Sequence, residues 1–387
     1  INGGKCNTEE DFYKACRAAS ILGTLQAGYT DFKFLTDTSK LIFDREALLG
    51  VSITGWMNNP DILFNERVLQ KGAEIVKEVN KEVAKVIGIN AAARTTCVKP
   101  SGNASVLLQT ASGIHAEHSN MYIRNVQMNK ESEITQAIMK TNPYMVEDSV
   151  WSAGGTDVVV SFPILPKKGS LYKDDLLGVK HLELVKKAQK YWVEAGTNED
   201  LCADKGVRHN VSNTIIVDDW DNVERYVFEN RHSFAGISFL AMSGDKDYNQ
   251  APNTAVITAK DMVKKYGNAA IFASGMVVDA LKVFNNLWDA CATAKGFGED
   301  ISLETSENAM KRDWIRRFKK FGDNYLNSDS DVAEHCLKDA YLLHKWNKIQ
   351  STLKTVDWKE DIKERKYTDV DTLAAAACAG GACEIDF

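Results

Sequence analysis

Short apolar runs alternate with longer amphipathic segments along this chain, and this alternation restricts its fold more than any other feature. The apolar runs cover residues 48–56, 93–98, 158–164, 212–217 and 234–240. Helical periodicity covers residues 8–26, 65–86, 182–195 and 220–230. Strands that are apolar on both faces belong to sheets that helices cover on both sides. The pattern therefore predicts an α/β fold, and a barrel of β/α units fits it best.

The helical segments carry their own end signals. Thr8 is a good N-cap residue, and Asp11, three residues later, suits the positive end of a helix dipole. Residues 65–86 form a long amphipathic pattern with Glu and Lys on the polar face. The sequence from 258 to 354 is mostly helical in pattern. We therefore predict a barrel region over 1–257, a mainly helical region over 258–366 and a flexible tail over 367–387.

The charge balance and the cysteine content limit the class of protein. The chain has 387 residues with a net charge of −6 and no basic stripe, which gives no support for nucleic-acid binding. We also find no apolar run of membrane length, so we expect no membrane partner. Most of the eight cysteines are scattered through strand-like or helix-like segments. This usage suits buried thiols in a reducing, cytoplasmic environment.

Cys378 and Cys383 lie in the Ala- and Gly-rich last ten residues of the sequence. The two glycines between them allow the tight loop that a disulfide needs. A dithiol on a mobile arm could exchange electrons with a distant partner by thiol–disulfide exchange. The same pair could instead be half of a zinc site, or incidental cysteines in a frayed tail.

The segment after the 93–98 run has the composition of an anion-binding loop. Pro100, Ser101, Gly102, Asn103, Ala104 and Ser105 leave a strand-like run and lead into a helical one. Small residues leave backbone N–H groups accessible, and a helix start would add partial positive charge, so the segment could hold a phosphate. An ordinary turn with Ser and Asn caps explains it equally well. His115 follows as a candidate substrate contact. The sequence supports a metal site formed by His115, His118 and Glu117 less well than a substrate contact, and we expect no metal ligands here.

These features together resemble the C-terminal part of a ribonucleotide reductase catalytic subunit, of the monomeric adenosylcobalamin-dependent (class II) type found in bacteria and their phages. The matching motifs run from about residue 8 to the end of the chain. They lie at residues 23–32, 49–56, 99–105, 112–115, 122–124, 208–214, 236–240 and 248–252 and at the terminal cysteine pair.

The resemblance implies a ten-stranded α/β barrel, of which this chain is the C-terminal half. It implies that a ribonucleotide is reduced by thiyl-radical chemistry, with residues 100–105 around the substrate phosphates. It further implies that Cys378 and Cys383 re-reduce a cysteine pair in the barrel, and that thioredoxin or glutaredoxin recharges them. Asn103 departs from the family, which more usually has Thr at this position.

The radical cysteine of the family lies in an Asn-Pro-Cys motif that this sequence lacks. Cys6 resembles a family redox cysteine only superficially, because it falls a few residues too late. We therefore expect a separate N-terminal half to supply the radical cysteine, and expect this chain alone to be inactive and unstable as a monomer.

Adenosylcobalamin follows by elimination. The sequence has neither the Tyr-Tyr pair of class I enzymes nor the glycyl-radical loop of class III enzymes. The alternatives left open are a class I large-subunit fragment, a decayed nucleotide-binding module and an independent dithiol redox module.

Overall fold

The computed structural model describes residues 1–242, 250–267 and 330–361. The described residues form two units that interleave along the chain. The first unit takes in Ile1–Asn120 and the described residues from Pro166 to Gly244. The second takes in Met121–Leu165 and the described residues from Asp245 onward. Each unit has its own sheets and helices.

The first unit consists of short parallel strands that alternate with helices. Its strands are β1 (Val51–Ser52), β2 (Thr96–Cys97), β6 (Thr214–Val217) and β7 (Ser238–Ala241). Its helices are α1 (Glu9–Ala27), α2 (Asp37–Glu46), α3 (Pro60–Leu63), α4 (Glu66–Ile87), α5 (Gly102–Leu107), α7 (Gly178–Ala188) and α8 (Trp220–Glu229). A π-helical stretch, Gln189–Glu194, extends α7.

Parallel hydrogen bonding connects these strands into one succession. β1 pairs with β2, and β6 pairs with β7, both in parallel. Isolated parallel bridges extend the pairs, from Asn2 to Thr54 on one side and from Val98 to Val211 on the other. The order is therefore the segment at Asn2, then β1, β2, β6 and β7, and a helix lies between each strand and the next along the chain. This is the connectivity of β/α units.

The two longest helices of this unit begin and end at residues whose chemistry fixes the boundary. Thr8 caps α1 in a reciprocal capping box with Asp11, as the sequence predicts. The Asn65 side chain accepts from the Val68 N–H at the start of α4. Gly88 ends α4 with φ +78°, a left-handed conformation that costs glycine little. Both predicted helices are confirmed to within about a residue.

The core of the first unit lies between the strands and their helices. Leu49, Val51 and Ile53 pack into one apolar cluster with residues of α1, α4 and α7. Phe12 of α1 and Trp192 of the π-helical stretch are fully buried in it, with ring centroids 5.9 Å apart. Val211, Ile215 and Val217 belong to the same cluster. Alternate residues of the parallel strands thus face the helices.

The second unit is built on an antiparallel sheet. Its strands, in the order β4-β5-β3-β8, are β4 (Val146–Asp148), β5 (Asp157–Ile164), β3 (Tyr122–Asn129) and β8 (Asn253–Ala255). Its helices are α6 (Glu133–Thr141), α9 (Ala259–Tyr266), α10 (Ser330–Thr352) and α11 (Trp358–Asp361). Ile138 of α6 and Ile349 of α10 pack on Val158 and Val160 of β5.

The α/β prediction is confirmed in its coarse form, since strands and helices are mixed throughout the described ranges. The predicted strand at 158–164 exists as β5. It lies in an antiparallel sheet, however, so the plan of buried parallel strands does not extend to it. The predicted tail, with Cys378 and Cys383, lies outside the described residues. Within the described ranges no helix is both long and apolar enough to cross a membrane.

Candidate functional site

The parallel strands of the first unit present a second face whose residues near the loop are small and mostly polar. Because side chains alternate along a strand, the residues between the core positions point away from the helices. On β1 and its extension these are Ser52 and Thr54, and on β2 the residue is Cys97. Ser212 and Thr214 alternate with the core residues of the next strand, and both are only partly buried. This polar face is the first component of the candidate site.

The second component is the predicted loop, which leaves the carboxyl end of β2. The Lys99 N–H donates to the Ser52 Oγ at 2.9 Å, so the loop starts on the polar face. Ser101 adopts a left-handed backbone, with φ +60°, and Gly102 follows at φ +35°. A non-glycine residue in this region is uncommon and is kept only where its surroundings hold it.

Thr54 joins this loop to the segment 110–115. Its hydroxyl donates to the Ala111 carbonyl at 2.8 Å and shares a hydrogen bond of 2.6 Å with the Ser101 Oγ. The Gly113 N–H donates to both hydroxyl oxygens at 3.0 Å. The Ser112 hydroxyl donates to the Pro100 carbonyl. Thr54 therefore bonds to both the loop at 100–105 and the segment 110–115, and it fixes the shape of each.

The predicted loop residues divide into anchors and exposed positions. Ser105 is 3% exposed, and its hydroxyl donates to the Gly102 carbonyl at 2.6 Å. Ser101 is engaged as described above. The remaining predicted residues are exposed to solvent, namely Pro100, Gly102, Asn103 and Ala104.

His115 uses both ring nitrogens within the protein. The Thr214 N–H donates to its Nε2 at 3.1 Å, so Nδ1 carries the proton and donates to the Ser112 carbonyl at 3.0 Å. Burial holds the pKa of His115 below its usual value, and the ring is neutral near pH 7. A substrate could reach a ring nitrogen only by replacing one of these bonds. The geometry supports a positioning role for His115.

A buried polar network under the 110–115 segment was not foreseen from the sequence. The Asn58 Oδ1 accepts from the Thr110 hydroxyl at 2.7 Å and from the Ala111 N–H at 2.6 Å. Its Nδ2 donates to Glu117 at 2.7 Å and to Ser170 at 3.0 Å. Glu117 is therefore a buried acceptor in this network. Across the described ranges, no group of three His, Cys, Asp or Glu is arranged to hold a metal ion.

Strand β2 is also fixed from its helix side. The Trp192 Nε1 donates to the Cys97 carbonyl at 3.1 Å, and the Thr96 hydroxyl donates to the Trp192 carbonyl at 2.6 Å. The His209 Nδ1 donates to the Thr96 carbonyl at 3.0 Å. The helix carries its π-helical turn where it meets β2, which is a feature often found at functional sites.

The described cysteines are buried free thiols, namely Cys6, Cys16, Cys97, Cys202 and Cys336. Burial raises the pKa values of Cys6 and Cys97, which keeps both protonated at neutral pH. Cys97 lies on the polar face, directly before the loop. Cys378 and Cys383, the predicted shuttle pair, lie outside the described residues.

Comparison with known proteins gives two sequence relatives, while no protein-family model matches the chain. A probable adenosylcobalamin-dependent ribonucleoside-triphosphate reductase of Dictyostelium discoideum is 28% identical over 191 residues, which are 48% of this chain and 24% of that protein. The adenosylcobalamin-dependent ribonucleoside-triphosphate reductase of Euglena gracilis is 24% identical over 159 residues, 40% of this chain and 22% of that protein. The chain thus spans about a quarter of the length of these curated relatives.

A solved structure has a related fold. The crystal structure of a B12-dependent (class II) ribonucleotide reductase matches with a TM-score of 0.53 at 16% identity, over 63% of this chain and 36% of that one. At this identity the match shows the fold alone. Together with the two relatives, it confirms the resemblance predicted from the motifs.

Proposed function

We propose that this chain is part of an adenosylcobalamin-dependent ribonucleotide reductase that acts on ribonucleoside triphosphates. The observation that carries the proposal is the pair of sequence relatives, both named as such reductases. The chain spans about a quarter of their length, and its sequence has no Asn-Pro-Cys motif. The complete activity therefore requires a further part of the enzyme, which supplies the radical cysteine.

In this proposal the loop at residues 100–105 holds the substrate phosphates. Ligands of α/β proteins bind at the carboxyl ends of parallel strands, and the loop leaves β2 at that end. Gly102 and Asn103 are exposed, so their N–H groups and the Asn103 side-chain amide can donate to phosphate oxygens. The Ala104 N–H donates to the Ser101 carbonyl at 2.8 Å and helps to hold the loop in shape. Ser101 and Ser105 hold the loop in shape through the internal bonds of their hydroxyls. His115 does not contact the substrate in this proposal. Its hydrogen bond to Thr214 connects the 112–115 turn to β6.

The polar face of the parallel strands is proposed to face the interior of the complete barrel. Its residues next to the loop are small and mostly polar, and Ile216 and Leu240 lie on the same face farther along β6 and β7. The opposite face is largely apolar and covered by helices. Among the described strands β7 pairs only with β6, and each of its four residues is exposed, so its other edge can pair with a further strand. A second half of the barrel would cover the polar face and pair with the open edge. For this reason we expect the chain alone to be a poor monomer.

The terminal dithiol of Cys378 and Cys383 is proposed to supply the electrons. One turnover converts a ribonucleotide and a dithiol into a deoxyribonucleotide, a disulfide and water. The two electrons reduce the 2′ carbon, and the hydroxyl leaves as water after it takes up a proton. In this proposal the tail restores the barrel dithiol by exchange, and thioredoxin or glutaredoxin then restores the tail.

Adenosylcobalamin, when bound, supplies the radical that starts this chemistry. Its cobalt is already held by the corrin ring, so the protein needs to offer a binding surface and not a cluster of metal ligands. We assign no residue of this chain to the corrin.

The test is reconstitution of activity. The chain is mixed with an N-terminal half that carries the radical cysteine, with adenosylcobalamin, a dithiol and a radiolabelled ribonucleoside triphosphate. We expect labelled deoxyribonucleotide only when both halves and the cofactor are present. Asn103→Ala should raise KM for the substrate, and its matched control is Asn230→Ala, at the C-terminal end of α8. No product from two folded and associated halves would contradict the proposal.

The dithiol needs a separate comparison. Cys378→Ser with Cys383→Ser should abolish turnover supported by thioredoxin and leave turnover supported by a small dithiol, which reaches the barrel directly. A chain that reduces disulfides without any dependence on nucleotide would instead be an independent redox module. Equal loss with both reductants would contradict the shuttle role and leave the reductase assignment standing.

A further inference from the structure

Lys5 lies at the carboxyl end of the parallel strands, where ligands of α/β proteins bind. It ends a short 3-10 turn that directly follows the parallel bridge between Asn2 and Thr54. Its side chain is exposed, and its Nζ donates to the Gln109 Oε1 at 3.4 Å. Gln109 comes just after α5, which begins within the loop at 100–105. Lys5 therefore places a positive charge beside the segment that follows the proposed phosphate loop.

Lys167 reaches the same turn from another part of the chain. Its side chain is exposed, and its Nζ donates to the Gly4 carbonyl at 3.2 Å. Its own carbonyl accepts from the Ser170 hydroxyl at 2.6 Å, and the Ser170 Oγ accepts in turn from the Asn58 Nδ2 at 3.0 Å. The buried Asn58 also accepts from the Thr110 hydroxyl at 2.7 Å. One network of hydrogen bonds thus fixes both the backbone of Lys167 and the segment after α5.

The contacts that hold these two lysines leave their charges unneutralised. Both acceptors, the Gln109 side-chain oxygen and the Gly4 carbonyl, are uncharged. Among the ion pairs of the described residues, none includes Lys5 or Lys167. Two like charges on one turn repel each other, and an anion bound between them relieves this repulsion. Lysine ammonium groups commonly bind phosphate. We call Lys5 and Lys167 the lysine pair.

We propose that the lysine pair binds the terminal phosphate of a ribonucleoside triphosphate whose inner phosphates lie on the loop at 100–105. This inference rests on the proposed function. The exposed N–H groups of Gly102 and Asn103 lie at the first end of α5, and Lys5 contacts Gln109 just beyond its other end. Because α5 has six residues that rise about 1.5 Å each, its two ends are about 9 Å apart.

This separation gives the lysine pair a role in selecting the substrate. A diphosphate on the loop stops short of the lysine pair, whereas the third phosphate of a triphosphate extends along α5 towards it. The loop donors therefore hold diphosphate and triphosphate alike, and the two ammonium groups add affinity only for the triphosphate. The lysine pair determines specificity and takes no part in the chemistry at the ribose.

The first test compares substrates in the complex of the chain with its N-terminal half. Lys5→Gln combined with Lys167→Gln removes both charges and keeps polar side chains. We expect KM for the ribonucleoside triphosphate to rise about tenfold and KM for the diphosphate to change less than about twofold, because only the third phosphate loses charged hydrogen bonds. The turnover number kcat should stay unchanged. Lys168→Gln is the matched control, because Lys168 is exposed and adjacent to Lys167 but makes no contact with the turn.

The second test is equilibrium binding, which separates this inference from the reductase activity. Circular dichroism first establishes that each variant is folded, and calorimetry then measures binding of inorganic triphosphate and of pyrophosphate without turnover. The wild type should bind triphosphate more tightly than pyrophosphate, and this preference should shrink as the salt concentration rises. The double Gln variant should lose the preference. Lys5→Arg combined with Lys167→Arg, which keeps both charges, should retain it.

The two tests can fail independently of the proposed function. The inference is overturned if the double Gln variant keeps the wild-type preference for triphosphate, or if Lys168→Gln loses as much of it. A folded wild type that does not bind inorganic triphosphate also overturns it. Reductase activity with an unchanged KM in the double Gln variant would contradict this inference alone. Lysine-dependent triphosphate binding without any reductase activity would contradict the proposed function alone.

Discussion

The Thr54 and Ser101 hydroxyls share a hydrogen bond of 2.6 Å, although Thr54 follows β1, Ser101 lies in the loop after β2, and the two residues are 47 positions apart. The Gly113 N–H donates to both oxygens, so three segments of the chain meet at this point. Thr54 is 5% exposed, and the cluster is therefore shielded from water. The shape of the exposed loop at 100–105 depends on this buried contact.

Replacing Thr54 by Val should loosen the loop. Val keeps the volume but loses the hydroxyl, so the Ala111 carbonyl keeps only the Gly55 N–H as a donor and the Gly113 N–H keeps only the Ser101 Oγ as an acceptor. A typical intramolecular hydrogen bond contributes about 0.5–1.5 kcal/mol, and we expect the free energy of unfolding to fall by about 1–2 kcal/mol. Hydrogen exchange should accelerate at residues 99–113. Thr38→Val, on the exposed side of α2, should change neither measurement, and equal effects from both variants would contradict the prediction.

Gly113→Ala should be more damaging than Gly88→Ala. Both glycines have positive φ, +51° and +78°, so an added Cβ costs each about 1–2 kcal/mol of backbone strain. A Cβ at Gly113 would also lie 2.5 Å from the Lys99 carbonyl oxygen, whereas one at Gly88 meets no atom within 4 Å. We expect a further loss of about 1–3 kcal/mol at Gly113 from this clash. Urea unfolding measures the free energy of unfolding of the two variants. Equal decreases in both would contradict a clash at Gly113.

Local signals in the sequence are sufficient to predict α1 and α4. Thr8 with Asp11 and Asn65 with Val68 act within one helical turn, so their pairing needs no knowledge of the rest of the fold. The polar clusters could not be found in this way. Thr54 with Ser101, and Asn58 with Glu117, meet only after the strands have taken up their register. No spacing rule in the sequence connects such distant positions.

The antiparallel sheet shows a different limit. The family motif covers only residues 122–124 of this strand, whereas Asn125, Gln127 and Asn129 alternate with Val126 and Met128 in the pattern of a half-buried strand. This alternation is a local signal that predicts the strand. The interleaving of the two units has no local signal, because it depends on β8 pairing with β3, more than a hundred residues earlier in the chain.

The buried ion pair of Glu46 and Arg94 should make the first unit sensitive to acid. The Arg94 Nη1 lies 2.8 Å from the carboxylate, and both side chains are buried. Burial acts to raise the pKa of Glu46, but the Ala203 N–H bond and Arg94 outweigh it, and the pKa is lowered overall. A lowered carboxyl pKa gives stability that is complete above the unfolded value, about 4.3, and is lost as the pH falls through the folded value.

Glu46→Gln should therefore cost about 3–5 kcal/mol at pH 7, since it leaves the charge of Arg94 buried without its partner. The difference from the wild type should shrink below about pH 4, where the wild-type carboxylate also becomes protonated. Glu9→Gln removes the exposed pair with Arg67 and should cost less than about 1 kcal/mol. Denaturant unfolding at several pH values measures both variants. If the difference in free energy of unfolding between the wild type and Glu46→Gln stays constant down to pH 3, the role assigned to the carboxylate is contradicted.

His115 should make stability fall between neutral and mildly acidic pH. The neutral ring accepts from the Thr214 N–H through Nε2, and protonation would place two hydrogens against each other at that contact. Since burial lowers the pKa of His115, the unfolded chain binds the proton more readily than the folded one. Stability is then complete above the unfolded value, about 6.5, and is lost as the pH falls towards the folded value.

His115→Gln offers the test, because Gln can still accept from Thr214 but does not take up a proton. We expect the variant to be less stable than the wild type at pH 7 and to lose less stability between pH 7 and pH 5. His181 adds its own pH dependence, because its ring donates to the Ile114 carbonyl and burial lowers its pKa to about 4. The His115 variant therefore keeps the part of the loss of stability that His181 causes. Urea unfolding at pH 7, 6 and 5 gives the change of the free energy of unfolding with pH for each protein. If the wild type and His115→Gln lose stability in parallel over that range, the proton is taken up elsewhere and the Thr214 contact does not control the acid response.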